Sequence, residues 1–186
     1  YDARVHLQRR NQRDTAGKLY ELPKPTIAAP PGPAAGAGLS TALSCDLRYG
    51  SPNAILTTAF ARVGFSGDYV GTSFMRRLIG SAKARELYFL SEKVDMTEAE
   101  RLGLVNGVFS EESLLAEVTS IAKRLAQGPT VAYRYMKENL NRAVNGEMGE
   151  CLDMEAAHHI HCGRTDDHKE AAQAFVDKRE PVFKGR

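Results

Sequence analysis

The sequence predicts an α/β fold that ends in an all-helical region. Short apolar runs bounded by turn residues alternate with amphipathic stretches as far as about residue 110, as strands and helices around one core do. From about Gly128 onward the apolar residues recur only at helical spacing. We therefore expect a core region over residues 1–127 and a helical region over residues 128–186.

The first half of the core region begins with a polar helix. It covers residues 3–20 and ends at "LPKP" (22–25), because proline disfavours helix both at its own position and at the one before. The run "TIAA" (26–29) is brief and punctuated like a buried strand. Two further strand-like runs, 46–50 and 54–59, are separated by the turn "SPN". With a short helix after the first strand, these elements predict a β-α-β-β arrangement.

Helices dominate the second half of the core region. One is predicted over about 69–79, where Gly80 stops it, and helical spacing resumes over 82–90. The "TEAE" spacing at 97–100 predicts a capping box at the start of another short helix. The last predicted strand is "LVNGVF" (104–109). An apolar stripe at helical spacing follows it: Leu114, Leu115, Val118, Ala122 and Leu125.

The overall composition is that of an ordinary globular protein. The 186 residues are 42% hydrophobic and 26% charged with a net charge of +2, which is too mild a balance to predict nucleic-acid binding. Three cysteines form no C-x-x-C pair, which is typical of reduced thiols. No apolar run reaches the roughly 18 residues of a membrane span, and no secretory signal is visible. We expect a cytoplasmic protein without nucleic-acid or membrane partners, and further residues before Tyr1, where the first helix is already under way.

The stretch "PPGPAAGAGLSTALSCD" (30–46) places an almost bare backbone directly before a helix over about 37–44. Unpaired N–H groups at such a helix start attract anions. A P-loop needs Gly-Lys-Ser/Thr, whereas Leu39 and Ser40 follow Gly38, and the dinucleotide fingerprint lacks its third glycine. Two interpretations remain. The N–H groups hold an oxyanion that forms in acyl chemistry, or the small residues let the helix pack closely on a strand.

A single carboxylate, Asp68, lies in the glycine-flanked loop of "AFARVGFSGDYVGTSFMRRLIG" (59–80). Aspartate is a favoured N-cap, worth about 1 kcal/mol, so a purely structural role at the start of the next helix explains it. The alternative is a carboxylate that exchanges protons with a substrate. The local pattern leaves both interpretations open.

Three segments together carry a family resemblance: "PKPTIAAPPGPAAGAGLSTALSCDLRYGSPNAILTTAFARVGFSGDYVGT", "LGLVNGVF" and "DHKEAAQAFVDKREPVFKG". In order and spacing they resemble the crotonase superfamily, the enoyl-CoA hydratase/isomerase group, over essentially the whole chain from Leu22. The resemblance implies a crotonase-like spiral of ββα units with a C-terminal helical trimerisation region. It also implies a homotrimer or a dimer of trimers, an acyl-CoA thioester as substrate, and no cofactor other than the coenzyme A of that substrate.

The resemblance also assigns roles at the glycine-rich helix start. In the family the thioester oxygen lies between two backbone N–H groups, and one of them corresponds to Ala37, between Gly36 and Gly38. The other donor, and much of the coenzyme A surface, belongs to a segment that precedes Tyr1. The chain departs from the family in its Pro30–Pro31 pair, which replaces the usual Val-Asn and removes two backbone donors.

Asp68 falls where dienoyl-CoA isomerases, ring-processing phenylacetyl-CoA isomerases and chlorobenzoyl-CoA dehalogenases have their working aspartate. Phe60, Phe65 and Tyr69 are near in sequence, so we expect them to contact the substrate and to raise the pKa of Asp68 by desolvation. Hydratases of the family carry two glutamates, and their places are Ser40 and Phe60 here.

Double-bond isomerisation is therefore the favoured reaction, with Asp68 as proton shuttle and an enolate held by the Ala37 N–H. Three alternatives stay open: hydration of an enoyl-CoA, attack of Asp68 on carbon as a nucleophile, and a crotonase-fold subunit that binds coenzyme A without catalysis.

Two further groups of residues are candidates in the helical region. Phe175 and Lys178 match a closing motif that approaches the coenzyme A nucleotide in the family; alternatively, Phe175 is core and Lys178 a solvated charge. The run "HHIHC" contains His158, His161 and Cys162 at spacings that share a helix face, which makes metal ligation conceivable. Because the resemblance places this run, His159 included, in the trimerisation helix, where the family has no metal, we expect no metal site.

Overall fold

The computed structural model describes residues 1–186, beginning with a long helical stretch. Helix α1 (Asp2–Gln12) continues through a π-helical turn (Arg13–Gly17) into α2 (Lys18–Glu21), close to the predicted bounds. Ala16 in the π-helical turn is completely buried. Such turns are rare and often lie near functional sites, and this one directly follows Gln12, a residue of the candidate active site.

Six short strands form two three-stranded sheets. They are β1 (Ile27–Ala28), β2 (Ala34–Ala35), β3 (Leu47–Gly50), β4 (Ile55–Thr57), β5 (Val94–Asp95) and β6 (Gly107–Val108). The first sheet has the order β1-β3-β6 and is parallel throughout. The second has the order β2-β4-β5, with β2 parallel and β5 antiparallel to β4. The sequence pattern does not predict β2 and β5, because two residues are too few to show an alternation.

Seven helices follow the first strands, and most match the predicted ranges. They are α3 (Gly36–Leu43), α4 (Gly71–Leu90), α5 (Met96–Leu102), α6 (Leu114–Ala126), α7 (Thr130–Ala143), α8 (Met148–Gly163) and α9 (Asp166–Asp177). The predicted stop at Gly80 is a break inside α4, where this glycine has φ 78° and ψ 166°. Helical structure resumes immediately after it.

The capping box predicted at Thr97 is wrong. Helix α5 begins at Met96, and its N-cap is Asp95, whose Oδ1 accepts the N–H of Glu98 at 2.8 Å. The helix starts early because Met96 is a core residue, only 2% exposed. The predicted stripe of α6 also needs correction at two places: Leu114 and Val118 are buried, whereas Leu115 is 77% exposed and Ala122 is exposed too.

The chain divides into two compact units. The first comprises residues 1–22 and 26–119, and the second comprises residues 23–25 and 120–186. The division observed here lies inside α6, whereas the sequence places it between residues 127 and 128. The sequence-based domain boundary stays a prediction, since compactness does not test independent folding. No helix is long and apolar enough to cross a bilayer.

One hydrophobic core holds the first unit together. It packs α3, α4 and α5 onto the strands through Leu39, Leu43, Leu56, Phe74, Met75, Leu87, Val94, Met96, Leu104 and Val105. Asp46 has a structural role, because its Oδ2 accepts both the N–H and the hydroxyl of Thr26, at 2.7 and 2.8 Å. These bonds fasten the start of β1 beside β3.

Candidate active site

The start of α3 is positioned by the second sheet. Strand β2 pairs with β4 and ends at Ala35, which is extended and forms the N-cap of α3. Gly36 follows with φ +51°, a left-handed conformation that glycine adopts without strain. The first N–H groups of a helix have no acceptor within it and carry the positive end of its dipole. The Ala37 N–H is one of these groups, as an oxyanion donor has to be.

The loop that contains Asp68 has an unusual backbone. Tyr69 and Val70 have φ values of 47° and 60°, and Gly67 has 110°. Left-handed conformations of residues other than glycine cost about 1–3 kcal/mol each, and they cluster at functional sites. The Tyr69 N–H donates to Oε1 of Gln12 at 2.7 Å, and the Gly71 N–H donates to the Asp68 carbonyl at 3.1 Å. These two bonds hold the loop in its strained form.

The Asp68 side chain does not cap the following helix. The N-cap of α4 is Val70, and no side chain bonds to the helix start. One carboxylate oxygen, Oδ1, is buried and has no hydrogen-bond partner. Desolvation raises the pKa of Asp68 above its ordinary value of 3.8. The capping interpretation is thus not found, and the pKa of the carboxyl is shifted in the direction expected of a general base.

Ser40 and Tyr88 connect the Asp68 loop with α3. Ser40 is 1% exposed, and its hydroxyl donates to the Gly36 carbonyl at 3.2 Å. The Tyr88 hydroxyl is hydrogen-bonded to Ser40. Both side chains lie against Gly71: a Cβ atom there would collide with Ser40 Oγ and would be 2.7 Å from the Tyr88 hydroxyl oxygen. Glycine at this position is therefore required by close packing.

The Tyr88 hydroxyl keeps its proton at neutral pH. Burial raises the pKa of Tyr88 to about 12; the Ser40 hydrogen bond opposes this rise, and the negative charge of Asp68 adds to it. The influence of Asp68 means that the two titratable groups are within electrostatic range of each other. The Asp68 loop passes close to α3, because the Gly71 N–H bonds to the Asp68 carbonyl and the Gly71 Cβ position lies against Ser40.

A cavity of about 470 Å³ lies beside these residues, within the first unit. Its walls are largely aromatic, with Phe60, Phe65, Tyr88 and Phe89. The Phe60 and Tyr88 rings stack with centroids 6.1 Å apart and planes 9° apart. Its volume falls in the usual range for small-molecule sites, about 300–1,000 Å³.

The remaining candidates of the first unit occupy different surroundings. Phe60 is buried and packs on Gly36, whose Cβ position is 3.6 Å from the Phe60 ring. Phe65 lines the cavity but is 73% exposed, and Tyr69 is half-buried. Gly38 has open space around its Cβ position, so packing within this chain does not require glycine there. Asp68, Tyr69 and the residues of the glycine triplet are not part of the cavity wall.

The sequence interpretation misses two residues of this site, Gln12 and Tyr88. Both residues lie in stretches whose sequence pattern is that of an ordinary polar or amphipathic helix, and no recognisable motif surrounds either of them. The one signal available was Gly71, a glycine at a helix start with no turn to explain it.

The candidates of the helical region belong to the second unit. Phe175 is 86% exposed on α9, so the alternative of a core phenylalanine is not found, and Lys178 ends that helix in a left-handed conformation with φ 53°. His158 stacks on Tyr135 with centroids 4.3 Å apart, and its Nδ1 is 2.5 Å from Oδ1 of Asn139. No group of three or more His, Cys, Asp or Glu side chains converges as a metal site would require.

Comparisons with known proteins define the class. The enoyl-CoA hydratase/isomerase family model matches residues 3–186. A solved enoyl-CoA hydratase from Bacillus anthracis superposes with a TM-score of 0.92 at 29% identity, covering 100% of this chain and 72% of that one. The fold is therefore crotonase-like, of the α/β class, as the sequence predicts. The chain belongs to the enoyl-CoA hydratase/isomerase family.

Two curated relatives show the range of activities in this family. The short-chain-enoyl-CoA hydratase of Clostridium acetobutylicum is 34% identical over 170 residues, which are 91% of this chain and 65% of that protein. The 1,2-epoxyphenylacetyl-CoA isomerase of Escherichia coli is 33% identical over 169 residues, 91% of this chain and 64% of that protein. The chain thus spans a little under two thirds of the length of these relatives.

Proposed function

We propose that this chain forms the Asp68 side of an acyl-CoA isomerase active site, in which a double bond moves along the acyl chain. The observation that carries the proposal is the Asp68 carboxyl: one oxygen is buried without a partner, and desolvation raises its pKa. A base in this state gains more from taking up a proton than a solvated carboxylate does.

The proposed reaction uses one base in two proton transfers. Asp68 removes a proton from the α-carbon of a β,γ-enoyl thioester, and the electron pair moves into the thioester carbonyl to form a dienolate. The Ala37 N–H donates a hydrogen bond to the enolate oxygen, a contact worth about 2.7–4 kcal/mol in the transition state. Asp68 then returns the same proton to the γ-carbon, which leaves an α,β-enoyl thioester. No water and no cofactor enter, and coenzyme A is present only as part of the substrate.

The other candidate residues have binding roles in this proposal. Gly36 and Gly38 keep the backbone beside Ala37 open to the thioester, and Phe60, Phe65 and Tyr69 surround the acyl group. We expect Phe175 and Lys178 to contact the coenzyme A nucleotide. The oligomeric state, a homotrimer or a dimer of trimers, stays a prediction. Exposed apolar side chains of the second unit, such as Leu140, Met148 and Leu152, support an interface with other copies of the chain.

Hydration of an enoyl-CoA is the second candidate reaction. Most of the relatives have names that favour it; one example is the crotonyl-CoA hydratase of Syntrophomonas wolfei. The site chemistry argues against it. Ser40 is buried with its hydroxyl bonded to the Gly36 carbonyl, and Phe60 is buried and stacked on Tyr88. Neither side chain can activate a water molecule or deliver a proton to carbon.

Asp68→Asn tests the proposal, with Asp153→Asn as the matched control because Asp153 is exposed on α8. Isomerisation of a β,γ-enoyl-CoA by the full-length protein is followed by the absorbance of the conjugated product. We expect Asp68→Asn to lower kcat about 10²–10⁴-fold, the usual contribution of a general base. The control keeps wild-type activity.

Full activity of Asp68→Asn on this substrate would remove the basis of the proposal. Loss of crotonyl-CoA absorbance with the wild-type protein, unaffected by Asp68→Asn, would instead establish hydration without this base. Binding of acyl-CoA by calorimetry without turnover of any thioester in a broad panel would establish a non-catalytic subunit.

A further inference from the structure

The aromatic cavity of the first unit lies next to the loop that contains Asp68. Gly67 directly precedes Asp68, and its Cβ position is 3.2 Å from the Tyr88 ring and 3.6 Å from the Thr72 methyl group. Tyr88 and Thr72 both line the cavity of about 470 Å³. An acyl group held beside Asp68 therefore has this cavity within reach.

Two arginine side chains line this largely aromatic cavity. Arg76 comes from the half of α4 before the break at Gly80, and Arg85 comes from the half after it. Thr72 and Arg76 are four residues apart, as are Ser81 and Arg85, so each half of the helix contributes one such pair to the cavity wall. None of the residues that line the cavity is acidic.

Neither guanidinium group has a carboxylate partner within the chain. Glu86, which follows Arg85 in the sequence, is paired with Lys83 at 2.8 Å instead. Another arginine of the first unit does have such a partner, since Arg101 donates both its Nε and its Nη2 to Glu98. The two positive charges in the cavity wall are thus available to an anionic group.

We propose that Arg76 and Arg85 bind a carboxylate at the far end of the acyl chain, so that the preferred substrate is the coenzyme A monothioester of a dicarboxylic acid. This inference rests on the proposed function, in which the acyl group lies beside Asp68. The planar guanidinium group matches the two oxygens of a carboxylate. The aromatic walls cover the apolar middle of the acyl chain, and the two arginines bind its charged end.

Coenzyme A itself carries phosphate groups, which arginine also binds. The walls of the cavity favour the acyl chain as the occupant. Its methylene groups are removed from water against Phe60, Phe65 and Phe89, whereas a phosphate group gains nothing from these side chains. The experiment has to distinguish these two sources of negative charge.

Binding of saturated thioesters to the full-length protein tests the inference, since the proposed isomerisation cannot turn them over. Adipyl-CoA ends in a carboxylate, and adipamoyl-CoA ends in a neutral amide of nearly the same size; both carry the same phosphate groups. Isothermal titration calorimetry measures the two affinities for the wild type, Arg76→Gln and Arg85→Gln. Arg101→Gln is the matched control, because it removes an exposed arginine of the same unit that does not line the cavity.

The expected effect follows from the exposure of both arginines to solvent. An exposed arginine–carboxylate pair contributes up to about fivefold in affinity. We therefore expect the wild type and the control to bind adipyl-CoA about 5- to 25-fold more tightly than adipamoyl-CoA. Each test variant loses about two- to fivefold of this preference.

Equal affinity of the wild type for the two ligands, no binding of adipyl-CoA, or a preference that both test variants keep would overturn the assignment. Equal weakening of both ligands in the test variants would overturn it too, because it assigns the arginines to the phosphate groups of coenzyme A. These results leave the proposed function standing, since binding of a saturated thioester requires no proton transfer. That function fails separately, when Asp68→Asn retains full activity on a neutral β,γ-enoyl-CoA.

Discussion

Two glycine-to-alanine substitutions in the first unit are expected to change stability in opposite directions. In Gly71→Ala the new methyl group collides with Ser40 Oγ and is 2.8 Å from the Ser40 Cβ atom. Ser40 is 1% exposed and cannot move outward, and Tyr88 is held by its stacking on Phe60. In Gly38→Ala the methyl group meets no heavy atom within 4 Å.

The magnitudes follow from packing and helix propensity. Overpacking in a buried site costs about 1–3 kcal/mol, whereas replacing glycine by alanine inside a helix gains up to about 1 kcal/mol. Gly71 is the first residue of α4, where that gain is small, so Gly71→Ala is destabilised by about 1–2 kcal/mol in total. Gly38 lies within α3 at a negative φ, so Gly38→Ala is stabilised by about 0.4–1 kcal/mol.

Urea unfolding of the two variants and the wild type measures both effects, with circular dichroism to check that each is folded. Near the melting temperature, 1 kcal/mol corresponds to a shift of about 2–4 °C for a protein of this size. If Gly71→Ala is as stable as the wild type, the close packing of Ser40 and Tyr88 on Gly71 is not present in solution.

The remaining predictions concern Asp68 and the cap of α5. Desolvation raises the pKa of Asp68 in the folded protein above its ordinary value of 3.8. The folded state therefore loses stability as the pH rises from 3.8 to this higher pKa, because the unfolded chain releases its proton first. Asp68→Asn is therefore more stable than the wild type at neutral pH, and urea unfolding shows this advantage shrinking as the pH falls toward 3.8; an advantage independent of pH contradicts it. Asp95→Ala removes the cap of α5 and lowers the free energy of unfolding by about 1 kcal/mol, whereas Thr97→Ala leaves it nearly unchanged; equal effects contradict the assigned cap.

The elements that the sequence predicts correctly are those with a long or strongly punctuated local signal. The break at Gly80 and the start of α3 are examples, because a single glycine or a bare loop decides the backbone there. The two-residue strands β2 and β5 carry no such signal, since β4 alone defines them by pairing. The cap of α5 is missed because the N-cap is Asp95, two residues before Thr97, and this earlier start places Met96, a buried core residue, inside the helix.

The residues of the candidate site also fall into two groups, those that the sequence suggests and those that only the structure reveals. Ala37 and Asp68 are candidates because of the family resemblance, since the local pattern alone leaves a structural role open for each, and their catalytic roles stay predictions. Tyr88 is not a candidate in the sequence, since a tyrosine in an amphipathic helix is most often a packing residue. Its importance depends on the second half of α4 returning to α3 and on the missing side chain at Gly71. Only the folded chain brings these two features together.

The loop around Asp68 has several features that cost stability. An aspartate at the N-cap gains about 1 kcal/mol, yet the N-cap of α4 is Val70, and Asp68, two residues before it, leaves Oδ1 buried and unpaired. Tyr69 and Val70 add left-handed strain of about 1–3 kcal/mol each. The bond from the Tyr69 N–H to Gln12 compensates only part of this, since one hydrogen bond contributes about 0.5–1.5 kcal/mol. A loop that only began α4 would gain stability with a carboxylate on the helix N–H groups, so the observed form supports the proposal that Asp68 faces a substrate.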